Sequence, residues 1–324
     1  MGAATVVFTI CAANYLARAR ALGTSLRRHH PEARFVVGLV DRLGEAGRHV
    51  DLSGCEILEV EALGLAPLAE MRERYEVLEL LMALKPFYLE RLLEESGVER
   101  LIYLDTDTRL YAPLDPVHEA LRGAAIVLTP HLLTPPSVDF ERAVMRYGVF
   151  NLGFVALART PEASAFLAWW RSRLLRDCLE RVSKGWYLDQ LVVNPAPVYF
   201  PGAAVLRDPG VNVAWWNLYE RPLARRGDSY AVGDGAPLRL FHFSHYDPCD
   251  PKAFAKLAER ARAPLGEVAE ELYRAYGEEL LANGHRALRE RAWALAPAAA
   301  PAGEGRALGK RLRRLWSARR ELGR

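Results

Sequence analysis

Leu101-Ile102-Tyr103-Leu104-Asp105-Thr106-Asp107 is the stretch on which the fold turns. Four apolar residues run straight into two carboxylates one residue apart, after a polar turn at Ser96–Arg100. A short run of this kind, partly β-branched or aromatic and bounded by a turn, reads as a buried strand. The carboxylates then fall where the strand ends, and in an open α/β sheet that edge is where ligands bind. On an extended chain Asp105 and Asp107 alternate, so both can face one side. Two hard oxygen donors on one side suit Mn²⁺ or Mg²⁺ beside a diphosphate. The plainer reading is a solvated, Asp-rich turn, and a D-x-D match alone does not separate the two.

Upstream, Ala4–Ile10 reads as a first buried strand, closed by Cys11-Ala12-Ala13. A helix is expected from about Asn14 to Arg28, with Asn14 as its N-cap and Tyr15 in its first turn. Small residues at such a turn let a nucleotide approach the backbone, although no G-x-G-x-x-G is present. Phe35–Val40 is a second strand ending at Asp41, and Cys55–Val60 a shorter third. Tyr75–Glu95 is helical in pattern but contains Pro86, which predicts two helices or a kink with Lys85 at the junction. Lys85 is then either a solvated lysine or a phosphate contact at a helix start.

Downstream come a short strand near Arg109–Leu110, a helix at Pro116–Leu121 and a strand at Ala124–Leu128. The loop His131–Val138 carries two prolines and reads as a mobile cover. In Tyr147–Leu157, Gly153 suggests close approach of a ligand or another backbone. Asn151, the polar residue of that run, either caps a bulge or meets a ligand. Thr160–Leu175 reads as an amphipathic helix. Trp186–Val193 is apolar except for Asp189-Gln190, and buried carboxylates seldom persist without a partner or a task. Val205–Leu218 is dense in aromatics and Asn, and Leu238–Phe243 is a last strand carrying His242, with His245 three residues on. A lone histidine in a strand is usually structural. Helices are expected at Lys252–Arg262, Pro264–Leu281 and His285–Leu295. Pro297–Gly303 is linker-like, and Arg306–Arg324 is basic and amphipathic.

Composition sets the class. Half of the 324 residues are apolar (51%) and 26% are charged, as in an ordinary globular protein. The four cysteines, Cys11, Cys55, Cys178 and Cys249, form no C-x-x-C, so neither a zinc knuckle nor a disulfide framework is signalled. The N-terminus lacks the pattern of a signal peptide and no run is long enough to span a membrane, so the expected compartment is the cytoplasm. The net charge of +3 is uneven: Arg306–Arg324 hold eight Lys/Arg and one acid, leaving a mildly acidic remainder. Basic and aromatic residues are not interleaved across the body, so no nucleic-acid surface is expected.

Strands alternating with helices over the first 200 residues argue for a mostly parallel sheet between helices. On that frame, Ala13–Leu16 (ANYL), Lys85-Pro86, Tyr103–Thr108 (YLDTDT), Phe150–Phe154 (FNLGF), Leu188–Gln190 (LDQ) and His242–His245 (HFSH) together resemble the GT-A nucleotide-sugar glycosyltransferases. The closer resemblance is to the retaining family-8 type and its bacterial surface-polysaccharide branch. It covers about residues 4–250. It implies an α/β, Rossmann-like three-layer sandwich at 1–250, a helical extension at 251–295, and a linker with a basic tail at 296–324. It implies a hexosyltransferase that moves a sugar from a UDP-sugar to a carbohydrate or lipid-linked hydroxyl acceptor, with retention. Asp105, Asp107 and His242 would hold Mn²⁺ or Mg²⁺. Thr9, Cys11, Ala12, Asn14 and Tyr15 would line the uridine pocket, with Asp41 at its edge and Thr106 within the D-x-D. Lys85 would contact diphosphate or sugar hydroxyls. Asn151 and Asp189 would bond the donor sugar, and Gln190 would sit near the anomeric carbon.

The chain departs from the family at two points. His245 stands where related sequences usually have Gly, which implies either direct contact with the phosphates or a loosened site. The diphosphate-binding lysine after the histidine has no counterpart at the usual spacing; Lys252 is the nearest. Two other classes share the sheet type. A nucleotidyltransferase would need a Gly-rich, basic first loop that CAANY lacks, and a non-catalytic sugar-nucleotide binder would not need an intact metal triad. The tail, with Leu312, Leu315 and Trp316 among arginines, suits either peripheral contact with an anionic membrane or a plain basic extension.

Overall fold

The computed structural model describes residues 4–261 and 263–296. The chain divides into two units, Met1–Ala294 and Leu295–Arg324, and the described strands and helices all belong to the first. The expected basic tail lies outside the described residues.

Seven strands form the central sheet. They are β1 (Ala4–Cys11), β2 (Arg34–Leu39), β3 (Glu56–Glu59), β4 (Val98–Leu104), β6 (Ile126–Pro130), β7 (Phe150–Ala158) and β8 (Ala203–Val205), in the spatial order β8-β6-β7-β4-β1-β2-β3. All neighbours are parallel except β7, which runs antiparallel to both β4 and β6. Continuous apolar runs such as Val6–Cys11 and Leu101–Leu104 are buried throughout, because helices cover both faces of the sheet. A small second sheet joins β5 (Thr108–Leu110), β9 (Val213–Ala214) and β10 (Leu240–His242), with β10 between the other two. Its register sets Thr108 opposite His242. That pairing brings the two ends of the site together.

The first helix, α1, spans Leu16–His29. Asn14 is not its cap. It lies in a 3₁₀ turn, Ala13–Tyr15, where Tyr15 N–H closes on Ala12 C=O at 3.0 Å, and this backbone turn replaces a side-chain cap. Helix α2 runs unbroken from Val77 to Leu93 with Pro86 inside it, so the expected helix start at Lys85 does not exist. The reason is tertiary. Every residue from Ala83 to Leu89 is buried, and that packing outweighs the ~3 kcal/mol that an interior proline costs. A box formed by Glu76 and Glu79 caps the true N-terminus.

The loop expected as a mobile cover leads into α3 (Val138–Met145). Its first turn is pinned: Glu220 accepts from Leu133 N at 2.9 Å and from Thr134 N and Oγ1 at 2.6 Å. Helix α4 (Pro161–Asp177) starts at Thr160, whose hydroxyl accepts from Ala163 N–H. The last helices are α5 (Ala253–Ala261), α6 (Glu267–Ala282) and α7 (His285–Arg289). Tyr273 and Tyr276 of α6 pack on Phe241 and Phe243, with Phe243 stacked on Tyr276 at 3.9 Å. Helix α7 is shorter than expected. After it the chain returns to the end of β2, where Trp293 Nε1 donates to Val40 C=O at 2.7 Å. Among the described residues no helix is long and apolar enough to cross a membrane.

Candidate functional site

Asp105 and Asp107 do not alternate on an extended chain. They sit in a tight turn between β4 and β5, because Thr108 bonds back through N–H (3.1 Å) and Oγ1 (2.7 Å) to Asp105 C=O. Thr106 is buried in the same turn. The turn is tied to the sheet by Asp105 N–H donating to Gly153 C=O at 2.8 Å, and to β10 by Phe243 N–H donating to Asp107 C=O at 2.7 Å. Tyr103 donates its hydroxyl to Asp105 Oδ1.

His242 closes this corner. Its Nε2 lies 3.1 Å from Asp107 Oδ1 and 3.8 Å from Asp105 Oδ2. One ligand atom from each of the three lies within 4.8 Å of the others. Burial favours the neutral ring of His242, yet Asp107 and then Asp105 outweigh it and raise its pKa. Burial would raise Asp107, but His242, with help from Arg18 and His245, holds it down at about 2. Two carboxylates thus favour the charged imidazole, as they would favour a dication in the same place. The donor set, hard oxygens with one imidazole, fits Mn²⁺ or Mg²⁺.

A second corner gathers Asn151, Asp189 and Gln190. Lys85, 1% exposed, donates to Asp189 Oδ2 at 2.7 Å and to Leu152 C=O at 3.0 Å, and lies 4.3 Å from the Tyr103 ring centre. Its ammonium is therefore directed at Asp189. Burial raises the Asp189 pKa, and Lys85 pulls against that. Gln190 Oε1 accepts from Leu152 N–H at 2.9 Å, and its Nε2 donates to Tyr147 C=O at 2.6 Å. Asn151 Nδ2 approaches both Gln190 Oε1 (3.4 Å) and His131 Nε2 (3.3 Å).

The residues expected around a nucleotide gather at the ends of β1 and β2. Asp41 is buried and accepts from Ala13 N–H at 3.1 Å, Arg42 N–H at 2.9 Å and Ala294 N–H at 2.9 Å. Thr9, Cys11 and Ala12 are buried, Asn14 is half-buried, and Tyr15 is 41% exposed. Among the described residues Thr9 Oγ1 has no hydrogen-bond partner. Burial, then Asp41, push the Cys11 thiol far up, so it is a packed thiol rather than a nucleophile. His245 has φ +64°, the left-handed conformation that glycine adopts most readily.

Several polar residues of the site carry no pattern in the sequence. Arg18 is buried, lies 4.3 Å from the Tyr15 ring centre and donates to Tyr246 C=O at 2.9 Å. Thr129, His131, Asn212 and Asn217 are buried behind Asn151 and His242. The one available signal was polarity inside apolar runs, as in Val211-Asn212-Val213. A second cluster, Asp247, Cys249 and His285, also has metal-ligand spacing. Arg289 already lies 3.3 Å from Asp247, and Arg18 3.5 Å from His285, so guanidinium groups supply the positive charge there.

No family model matches the chain. It is similar to two uncharacterized proteins of Bacillus subtilis (strain 168). It is 26% identical to YfnF over 225 residues, covering 66% of this chain and 74% of YfnF. It is 25% identical to YfnD over 234 residues, covering 71% and 74%. Among solved structures, the galactosyltransferase LgtC in complex with donor and acceptor sugar analogs superposes at a TM-score of 0.49 with 16% identity, covering 80% of this chain and 94% of that one. The apo form of the glycosyltransferase GlyE from Streptococcus pneumoniae TIGR4 superposes at 0.50 with 14% identity, covering 88% and 64%. Its seven-stranded, mostly parallel sheet gives the chain a mixed α/β fold like that of GlyE.

Proposed function

We propose that the protein is a metal-dependent glycosyltransferase that moves a hexose from a UDP-sugar to a hydroxyl of a saccharide acceptor, with retention of configuration. The observation that carries this reading is the meeting of Asp105, Asp107 and His242 at the carboxyl end of β4. It lies beside the end of β1, where ligands bind in open α/β sheets. The fold shared with GlyE supports it.

In this reading Asp105, Asp107 and His242 hold Mn²⁺ or Mg²⁺, which when bound neutralises charge on the departing diphosphate. Thr9, Cys11, Ala12, Asn14, Tyr15 and Asp41 form the nucleoside end. Arg18 adds positive charge below the same corner. Asn151, Asp189 and Gln190 hold the donor sugar, and Lys85 positions Asp189 by its ion pair. Holding the acceptor hydroxyl against the anomeric carbon can lower the barrier by ~7–11 kcal/mol, alongside the charge stabilisation at the metal corner. The Arg306–Arg324 tail would bring the enzyme to a lipid-linked acceptor; deleting it should then abolish co-sedimentation with anionic liposomes at low salt.

The test is UDP release from UDP-glucose and UDP-galactose by the purified full-length chain, with and without Mn²⁺. Release that requires the metal supports the reading. No binding and no hydrolysis at millimolar donor and metal would sink it. Pyrophosphate release from UTP and a sugar phosphate would show a nucleotidyltransferase instead.

A further inference from the structure

The polar side chains behind the metal corner can be oriented atom by atom, because a backbone N–H starts the chain of bonds. Gly153 N–H donates to Asn151 Oδ1 at 3.1 Å, which identifies that atom as the oxygen. Asn212, 1% exposed, must then turn its Nδ2 toward it, at 3.0 Å, and also meets Thr129 Oγ1 at 2.9 Å. Its Oδ1 is left facing His242 Nδ1 at 3.3 Å. An amide oxygen only accepts, so Asn212 draws the ring hydrogen to Nδ1, while the Asp107 carboxylate, also only an acceptor, lies 3.1 Å from Nε2. With a cation neutralising Asp105 and Asp107, the hydrogen stays on Nδ1 against Asn212 and the Nε2 lone pair is free for the metal. Asn212 is itself held in place, since its C=O accepts from Asn217 Nδ2 at 3.1 Å. Its φ of +59° is one that Asn tolerates better than most residues. Trp216 meets the His242 ring edge-on at 5.3 Å and fixes its plane.

We propose that Asn212 is a positioning residue that holds His242 as the Nδ1–H tautomer and aims its Nε2 lone pair at the cation shared with Asp105 and Asp107. This assignment rests on the metal-site reading above. A histidine that ligates a metal normally donates its other ring N–H to an acceptor, and loss of that acceptor weakens metal binding. The same amide reaches Asn151, so one residue ties the metal corner to the donor-sugar corner.

Two variants test it in the full-length chain. Asn212→Gly suits the positive φ and removes the acceptor. Asn212→Asp tolerates the same φ and keeps an acceptor oxygen. Mn²⁺ affinity is read by electron paramagnetic resonance. The tautomer is read by long-range ¹H–¹⁵N correlation of His242 in the metal-free protein, at a pH above its titration. The parent should show Nδ1–H despite the Asp107 carboxylate beside Nε2, and a parent that shows Nε2–H overturns the assignment. Asn212→Gly should lose that tautomer and bind Mn²⁺ about 10–100-fold more weakly, whereas Asn212→Asp should stay within about threefold of the parent. The assignment is overturned if Asn212→Gly keeps the parent's tautomer and affinity, or if Asn212→Asp falls as far as Asn212→Gly. A parent that shows Nδ1–H but takes up no Mn²⁺ would leave the role of Asn212 standing and sink the metal reading.

Discussion

A methyl group at Gly153 would lie 2.6 Å from His242 Cε1, 2.8 Å from Asn151 Oδ1 and 2.9 Å from Asp105 Oδ2. All three neighbours belong to the candidate site, so none can yield without disturbing it. Gly153→Ala should therefore cost about 1–3 kcal/mol of stability. It should weaken Mn²⁺ binding by at least about tenfold, as loss of a ligand-orienting contact does, measured by titration on a protein that still melts cooperatively. His131 gives a pH prediction. Burial, against the pull of the Gly148 and Val149 backbone, lowers its pKa from 6.5 to about 4. The unfolded chain takes up its proton first as pH falls. The stability is thus complete above 6.5 and drains away between 6.5 and about 4, by roughly 3 kcal/mol. Urea unfolding across that range should show the loss in the parent but not in His131→Gln. The metal-free His242–Asp107 pair behaves differently. The histidine, raised, loses its contribution as pH climbs through its folded value, and the aspartate, lowered, loses its own as pH falls toward about 2. Asp105, Asp107, His242, Asn151, Asp189 and Gln190 could be picked out of the chain because charged or amide groups interrupt apolar runs there. Asn212 carried the same mark between Val211 and Val213, but its partner His242 lies 30 residues on and no motif joins the two, while His131 sits in a loop where no apolar run frames it.

At the scale of elements, the strands were legible, since continuous apolar runs between turn residues admit few other readings. The errors came where a distant contact overruled a local rule. Pro86 breaks isolated helices, yet α2 passes through it because Ala83–Leu89 is buried all round. The D-x-D would alternate on a strand, yet it is held as a turn by Gly153, which accepts from Asp105 N–H, and by Phe243, whose N–H donates to Asp107 C=O. Helix α2 also delivers Lys85 to Asp189 inside the protein, at 1% and 4% side-chain exposure. Breaking such a pair strands a buried charge. Lys85→Met should cost about 3–5 kcal/mol in chemical denaturation, and Lys85→Met with Asp189→Leu should recover most of it. If the double variant is no more stable than the single one, the ion pair is not what the lysine supplies.

Across the molecule, β10 is gripped from two sides. It pairs with β5, and the strand's Phe241 and the adjoining Phe243 pack on Tyr273 and Tyr276 of α6. We propose that the helices after residue 250 act to hold His242 in register. Tyr276→Ala should then cost about 3–5 kcal/mol, and Mn²⁺ affinity should fall with it. Stability loss below about 1 kcal/mol, measured by urea unfolding, would contradict that. The pairing of Thr108 with His242 bears also on how the protein is made. Asp107 leaves the ribosome 135 residues before its partner, on the order of ten seconds at ordinary translation speed. For that interval the nascent chain carries two aspartates and no histidine to complete them. On the proposed reading, metal capture is thus a late event of synthesis, and a chain cut short before residue 240 would have all seven strands of the central sheet but only two of the three proposed ligands.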